Sequence, residues 1–358
     1  MKKAILIMLS VAITLFCVCP AGASEEISVY LDDQKIEFDQ PPIVLNDRTL
    51  VPMRALFEAL GASVEWDEES QTATGKVQGI DIEITLGEDF VLVNMVKLIL
   101  DCQAQKINDR VLVPLRVVSE SFGVDVQWDE RSNSVIMKNK NIIQTINDGN
   151  FIYEGMIQNE KLNGYGTKYY SNGKFHSTGF YSDNVLQEGC YFWATGECFI
   201  GKFKDWKLNG DDCFYTYNGF SVLGKFVDNI PTGKVCMKYK NGESYIGETN
   251  GFERNGQGNY YYNSGCIYIG SWSNGETNGE GTYYFEDGES YLHGSFTEGA
   301  TINGFGEYYD YPNNCLYTGF FSYGKMDGEF TIYCYNTRTV SKAYFKNGEM
   351  ILAEQIGN

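Results

Sequence analysis

Over residues 27–138 the apolar positions follow two periods. Ile27, Val29 and Leu31 alternate with other residues, as do Ile80, Ile82 and Ile84, Val64 with Trp66, and Val126 with Trp128. That is the period-two signature of half-buried strands. Between them Ala55, Leu56, Ala59 and Leu60 recur at helical spacing. Pro52 and Pro114 stand where a helix would begin, a place that needs no backbone N–H. Gly61 and Gly123 stand where a left-handed residue would end it. The predicted order is strand, helix, strand, and it occurs twice. Residues 46–70 set against 108–132, an offset of 62, agree at fourteen of 25 positions, including Arg54/Arg116, Glu58/Glu120 and Trp66/Trp128. This is an internal duplication.

After residue 147 the pattern changes. Of 53 aromatic residues 45 lie there, and 33 of 39 glycines. A Tyr/Phe-x(1–3)-Gly start recurs at Gly155, Gly179, Gly201, Gly224, Gly247, Gly270, Gly294 and Gly319, with gaps of 22 to 25. Each unit carries two turn signals. Asn163-Gly164, Asn209-Gly210, Asn255-Gly256, Asn278-Gly279 and Asn303-Gly304 form one set; Asn172-Gly173, Asn218-Gly219, Asn241-Gly242, Ser264-Gly265 and Asp287-Gly288 form the other. These pairs tolerate the positive φ of tight hairpins, and the runs between them are rich in strand-forming Tyr, Phe and Thr. The prediction is a β-hairpin array of about eight units. The paired glycines are turn features, because a phosphate loop needs a helix to follow and here strands follow.

The first repeat, through Asn46-Asp47-Arg48-Thr49-Leu50-Val51-Pro52-Met53-Arg54, Glu58 to Asp67 and their second copy, resembles the copper amine oxidase-like N-terminal domain. That family is a stalk module of exported bacterial proteins. The resemblance implies a small α+β domain, sheet packed on helix, with no oxidase chemistry of its own. The second repeat resembles the MORN repeat, whose core is Tyr-x-Gly, then Asn-Gly-x-Gly-x-x-x-Tyr/Phe. The copies starting at Tyr153, Phe199, Tyr245, Tyr268 and Tyr291 carry it well. It implies an extended all-β antiparallel sheet, and the family is associated with protein binding, self-association and, in some cases, membrane lipid. The expected fold class is therefore mixed. A signal peptide at 1–23 precedes the α+β domain at 24–138. A linker at 139–150, the hairpin array at 151–346 and a C-terminal tail at 347–358 follow.

The start of the chain sets the compartment. Lys2 and Lys3 lead an apolar run from Ala4 to Val18, and Pro20-Ala21-Gly22-Ala23 supplies a cleavage site. The expectation is export, to the medium, the cell surface or the wall. Eight cysteines remain after cleavage, an even number that permits disulfides outside the cell. Cys190, Cys213 and Cys236 lie 23 residues apart and are expected in one column of successive units, too distant to bridge, whereas Cys190 and Cys198 flank one turn and can approach.

The net charge is -19, or -21 once Lys2 and Lys3 are removed. Such a surface opposes nucleic acid and anionic membrane lipid. The two histidines, His176 and His293, cannot build an imidazole-rich metal centre. No nucleophile–base motif is present, and Asn259-Tyr260 has no histidine nearby to suggest a copper–quinone site. The acidic pairs Asp32-Asp33, Glu68-Glu69 and Asp211-Asp212 lack an alternating calcium loop. Arg54 with Glu58, and Arg116 with Glu120, read as i,i+4 ion pairs. No catalytic, cofactor-binding or metal-binding residue is assigned, and no enzyme is expected. The expected function is a binding scaffold presenting the array to a protein partner. The alternative is binding of cell-wall polysaccharide through exposed rings of the array. Buried rings would favour the first, a row of exposed rings the second.

Overall fold

The structure, a computed structural model, describes residues 26–357 apart from 141, 298 and 300. The expected leader at 1–23 lies outside the described residues. The first copy of the duplicated unit supplies β1 (Ser28–Leu31), β2 (Gln34–Lys35), β3 (Ile43–Leu45), β4 (Arg48–Pro52), α1 (Met53–Ala59), β5 (Ser63–Asp67) and β6 (Thr72–Val77). After β7 (Ile80–Thr85), the second copy supplies β8 (Phe90–Val93), β9 (Val96–Ile99), β10 (Gln105–Ile107), β11 (Arg110–Pro114), α2 (Leu115–Ser121), β12 (Val124–Asp129) and β13 (Ser134–Asn139).

The domain is β-rich, a correction to the expected α+β class. Each helix stops after seven residues, because Gly61 and Gly123 take φ of +77° and +78° just beyond it. The copies interlock. β4 pairs with β11 so that Val51 faces Val113, its own duplicate. Parallel pairing of β1 with β13 joins the first strand of one copy to the last strand of the other. The equivalent junction of β6 and β8 is opened by β7, which inserts between them. Two ion pairs follow the same exchange: Arg48 to Asp101 at 2.6 Å and Arg110 to Asp39 at 2.5 Å. Val51, Leu56, Phe57, Ile82, Val113 and Val118 are among the side chains that fill the core.

Twenty antiparallel strands, Ile142–Asn147 to Glu349–Gly357, form one sheet in chain order. The stretch expected as a linker supplies its first strand and the expected tail its last. The hairpin turns fall at the second set of signals, such as Asn172-Gly173 and Asn241-Gly242. The first set does something else. Asn255-Gly256 lies inside a strand, opposite the register shift between Gly247 and Thr249. It is a β-bulge, and the true turn comes earlier, at Gly251-Phe252. The asparagine there holds the next turn: the Asn163 side-chain oxygen accepts from the Asp183 N–H at 3.0 Å, and that of Asn209 from the Asp228 N–H at 3.1 Å.

The two modules meet at a polar knot. The Gly79 carbonyl accepts from Asn94 Nδ2 at 2.7 Å and from Thr167 Oγ1 at 2.8 Å, while Asn94 Nδ2 also reaches Thr178 Oγ1 at 2.8 Å. Met156 and Tyr165 of the array join the core of the first domain around it.

Candidate interaction surface

The glycines of the array stack into a column. Gly247, Gly258, Gly270, Gly281, Gly294, Gly306 and Gly319 pair in turn across seven strands. Side chains on this face are the apolar ones, among them Tyr153, Tyr245, Tyr268, Phe296 and Phe330, all buried. The tyrosine of Tyr-x-Gly folds over the glycine of the next strand. Its hydroxyl donates to the carbonyl three residues on: Tyr153 to Met156 at 3.2 Å, Tyr245 to Glu248 at 2.6 Å, Tyr268 to Ser271 at 3.2 Å.

Along one side of this face the rings touch without a break. The chain of contacts runs through Tyr215, Phe252, Phe220, Tyr239, Tyr260, Tyr262, Tyr283, Phe285, Tyr308 and Tyr317, with centroids 4.7 to 6.3 Å apart. Arg254 stacks on it, 4.7 Å from the Tyr260 ring and 4.4 Å from Trp272. Burial raises the phenol pKa of Tyr268 to about 12 and that of Tyr245 further. These hydroxyls stay protonated and serve as structural donors rather than bases. Most rings of this chain of contacts are packed against the core, but Phe252 within it is 43% exposed, and elsewhere on the array Phe305, Phe320 and Tyr323 stand exposed at 69%, 53% and 80%.

The opposite face carries a feature that the sequence reading missed. Phe214 pairs with Leu223, Leu223 with Cys236, Cys236 with Ile246, Ile246 with Asn259, and Asn259 with Ile269. Phe214 is half-buried, whereas Leu223 is 52% exposed, Ile246 50% and Ile269 43%, with Cys236 exposed between them. The signal was present: the middle residue of Tyr-x-Gly is Ile in Tyr245-Ile246-Gly247 and in Tyr268-Ile269-Gly270. Since strand side chains alternate, that residue must face away from the tyrosine. The ion pair Lys225–Asp211, 2.9 Å, lies beside this apolar column.

The structure scatters the residues that a chemical site would have required together. His176 is buried among the rings of Phe151, Tyr170 and Tyr191, and its pKa falls to about 4 through burial and then through Lys168. His293 lies on the other face, 2.9 Å from Thr282 Oγ1. Arg116 reaches Glu120 at 3.4 Å, but Arg54 makes no ion pair with Glu58 or any other described residue. Asp211 is occupied by Lys225. Among the described residues no group of three or more His, Cys, Asp or Glu is placed to hold a metal ion, and no helix is long and apolar enough to cross a membrane.

The cysteine column is corrected. Cys213 stands on the glycine face, opposite Gly224, and is buried. Cys236 stands on the other face, opposite Leu223 and Ile246. The cause is the irregularity between Gly210 and Cys213, which shifts the register. One extra residue reverses a side chain's face, so equal sequence spacing does not give equal position.

Residues 30–137 match the copper amine oxidase N-terminal domain. Residues 153–175, 253–267, 268–290 and 317–329 match the MORN repeat. Both matches agree with the resemblances read from the sequence. No curated protein matches the chain. Among solved structures, the extracellular domain of BT4673 from B. thetaiotaomicron is 10% identical over 84% of this chain, with a TM-score of 0.15. The chain covers 45% of that protein's length. Apo AztD from Citrobacter koseri is 8% identical over 82% of this chain and 85% of its own, with a TM-score of 0.14. Scores this low describe no shared fold.

Proposed function

We propose that this chain, a copper amine oxidase N-terminal domain followed by MORN repeats, is an exported, non-catalytic scaffold whose array docks a protein partner at or outside the cell surface. The observation that carries the reading is the exposed column Leu223, Cys236, Ile246 and Ile269 on the face away from the packed rings. An exposed apolar strip, interrupted by the half-buried Asn259 between Ile246 and Ile269, on a strongly acidic protein suits an apolar protein contact better than a polyanion. The matched modules support the non-catalytic part of the reading, and the charged, apolar and small-residue order of residues 1–23 supports export. The test is capture from wall fractions and secreted proteins with the wild-type chain and with Leu223→Asp/Ile246→Asp. A specific partner retained by the wild type and lost by the double variant, at unchanged melting temperature, supports the reading. A partner set identical for both chains overturns it. Fractionation of the producing cell checks the compartment.

A further inference from the structure

The duplication builds one cleft twice. The first, of about 500 Å³, is lined by Arg48 and Asp101, by Arg116 and Glu120, and by Trp128. The second, of about 610 Å³, is lined by their duplicates 62 residues away: Arg110 and Asp39, Arg54 and Glu58, and Trp66. Each cleft spans both copies, because the exchanged ion pairs place Arg48 beside Asp101 and Arg110 beside Asp39. Both volumes fall in the range of small-molecule sites.

The lining limits what can enter. Carboxylates outnumber cationic groups in both clefts, three to two in the first and five to three in the second. The Arg110 hydrogen bond holds the Asp39 carboxyl below the usual range, so it stays ionised. An anion is therefore repelled, and an apolar ligand would strip water from charges without replacing it. One indole per cleft is too few for the ring cage that recognises quaternary ammonium groups. What remains in each cleft is one flat aromatic surface beside planar groups that donate and accept two hydrogen bonds at once. In the first cleft Trp128 is 43% exposed, beside Arg48 and Arg116, which are paired with Asp101 and Glu120. In the second Trp66 is half-buried with its indole N–H on Glu68, and the Arg54 guanidinium is exposed with no ion pair to any described residue. A pyranose matches this arrangement, with a C–H face for the indole and adjacent hydroxyls for the carboxylate and guanidinium edges.

We infer that the two clefts are equivalent binding sites for an uncharged pyranose saccharide, one ligand in each. This site is separate from the docking column of the array, so either reading can fail without the other.

Calorimetric titration of the full chain with cellohexaose, chitohexaose and maltohexaose tests it. At least one of these probes should bind with two sites per chain and change tryptophan fluorescence. Trp128→Ala should reduce the stoichiometry to one, and Trp66→Ala/Trp128→Ala should abolish binding. Should an indole variant fail to fold, Arg54→Gln changes only an exposed, unpaired group and should weaken one site by about fivefold or more. Failure of all three probes to bind up to about 5 mM, where a millimolar site would be mostly filled, overturns the inference. So does wild-type stoichiometry and affinity in the double Trp variant or in Arg54→Gln.

Discussion

The ring of Tyr245 lies over Gly258 on the next strand, so that a Cβ built on that glycine would land in the phenol ring. Tyr153 over Gly166 and Tyr268 over Gly281 repeat the arrangement. The glycine of Asn-Gly-x-Gly is thus the floor under the tyrosine of Tyr-x-Gly, and the two halves of the motif recognise each other. Gly258→Ala should push the ring off its floor and cost about 1–3 kcal/mol, as overpacking does elsewhere. Tyr245→Phe removes only the bond to the Glu248 carbonyl and should cost about 1 kcal/mol. Denaturant midpoints compare the two. Wild-type stability in Gly258→Ala would show that the ring is not held there.

Much of this was legible because the two periods differ. The duplicated unit, its helix-ending Gly61 and Gly123, and the hairpin array all follow from spacing in the chain. Three features were not legible, each for a physical reason. Insertion of β7 between β6 and β8 is a matter of strand pairing, which a repeat pattern does not fix. Asn163 and Asn209 look like turn residues, yet they sit at bulges and cap the following turn, a contact about 20 residues away in sequence. The face of Cys213 depends on one inserted residue, which spacing alone cannot place on either side of the sheet.

Asn94 should couple the two modules. It is buried at 4% exposure, and its side chain binds the Gly79 carbonyl, the Asp81 N–H and Thr178. Gly79 cannot be replaced easily, since a Cβ would strike the Glu154 carbonyl and its φ is +79°. Asn94→Ala removes the acceptor of the Asp81 N–H, while Thr167 still serves the Gly79 carbonyl and Thr178, and should cost about 1–3 kcal/mol. Scanning calorimetry should then resolve a separate, earlier transition for one module. A single unshifted transition would mean that the knot contributes nothing to the coupling.

His176 should make the protein acid-sensitive. Burial among three rings, and then the nearby Lys168 cation, lower its pKa from 6.5 to about 4. The unfolded chain therefore binds a proton that the folded chain refuses between these values. The stability from neutral His176 is present in full above pH 6.5 and is lost as pH falls through about 4. Its size is at most about 3 kcal/mol. Unfolding free energies measured from pH 7 to pH 4 should fall more steeply for wild type than for His176→Phe. Equal slopes would place the histidine in contact with water.

The last prediction concerns the thiols. Cys315 and Cys334 are direct cross-strand partners and are disulfide-bonded. Cys190 pairs with Ile200 and Cys198 with Phe192, which sets the two cysteines diagonally on one face with Sγ atoms 3.4 Å apart. Bond formation needs a closure of only about 1.4 Å. The hydrogen bond between them raises the Cys190 pKa, with burial adding to it, and lowers that of Cys198. Both thiols are buried, so an oxidant such as glutathione disulfide meets them on local opening; one thiol then forms the mixed disulfide and the other displaces glutathione to close the bond. Cys213 and Cys236 are kept apart twice over: they stand on opposite faces, and the strand Phe220–Val227 lies between theirs. Two strand spacings are about 9.6 Å, beyond the reach of a disulfide. Non-reducing peptide mapping after treatment with glutathione disulfide should recover Cys315–Cys334 and Cys190–Cys198 as linked peptides. A Cys213–Cys236 link would mean that the register of these three strands is wrong, and with it the exposed column that passes through Cys236.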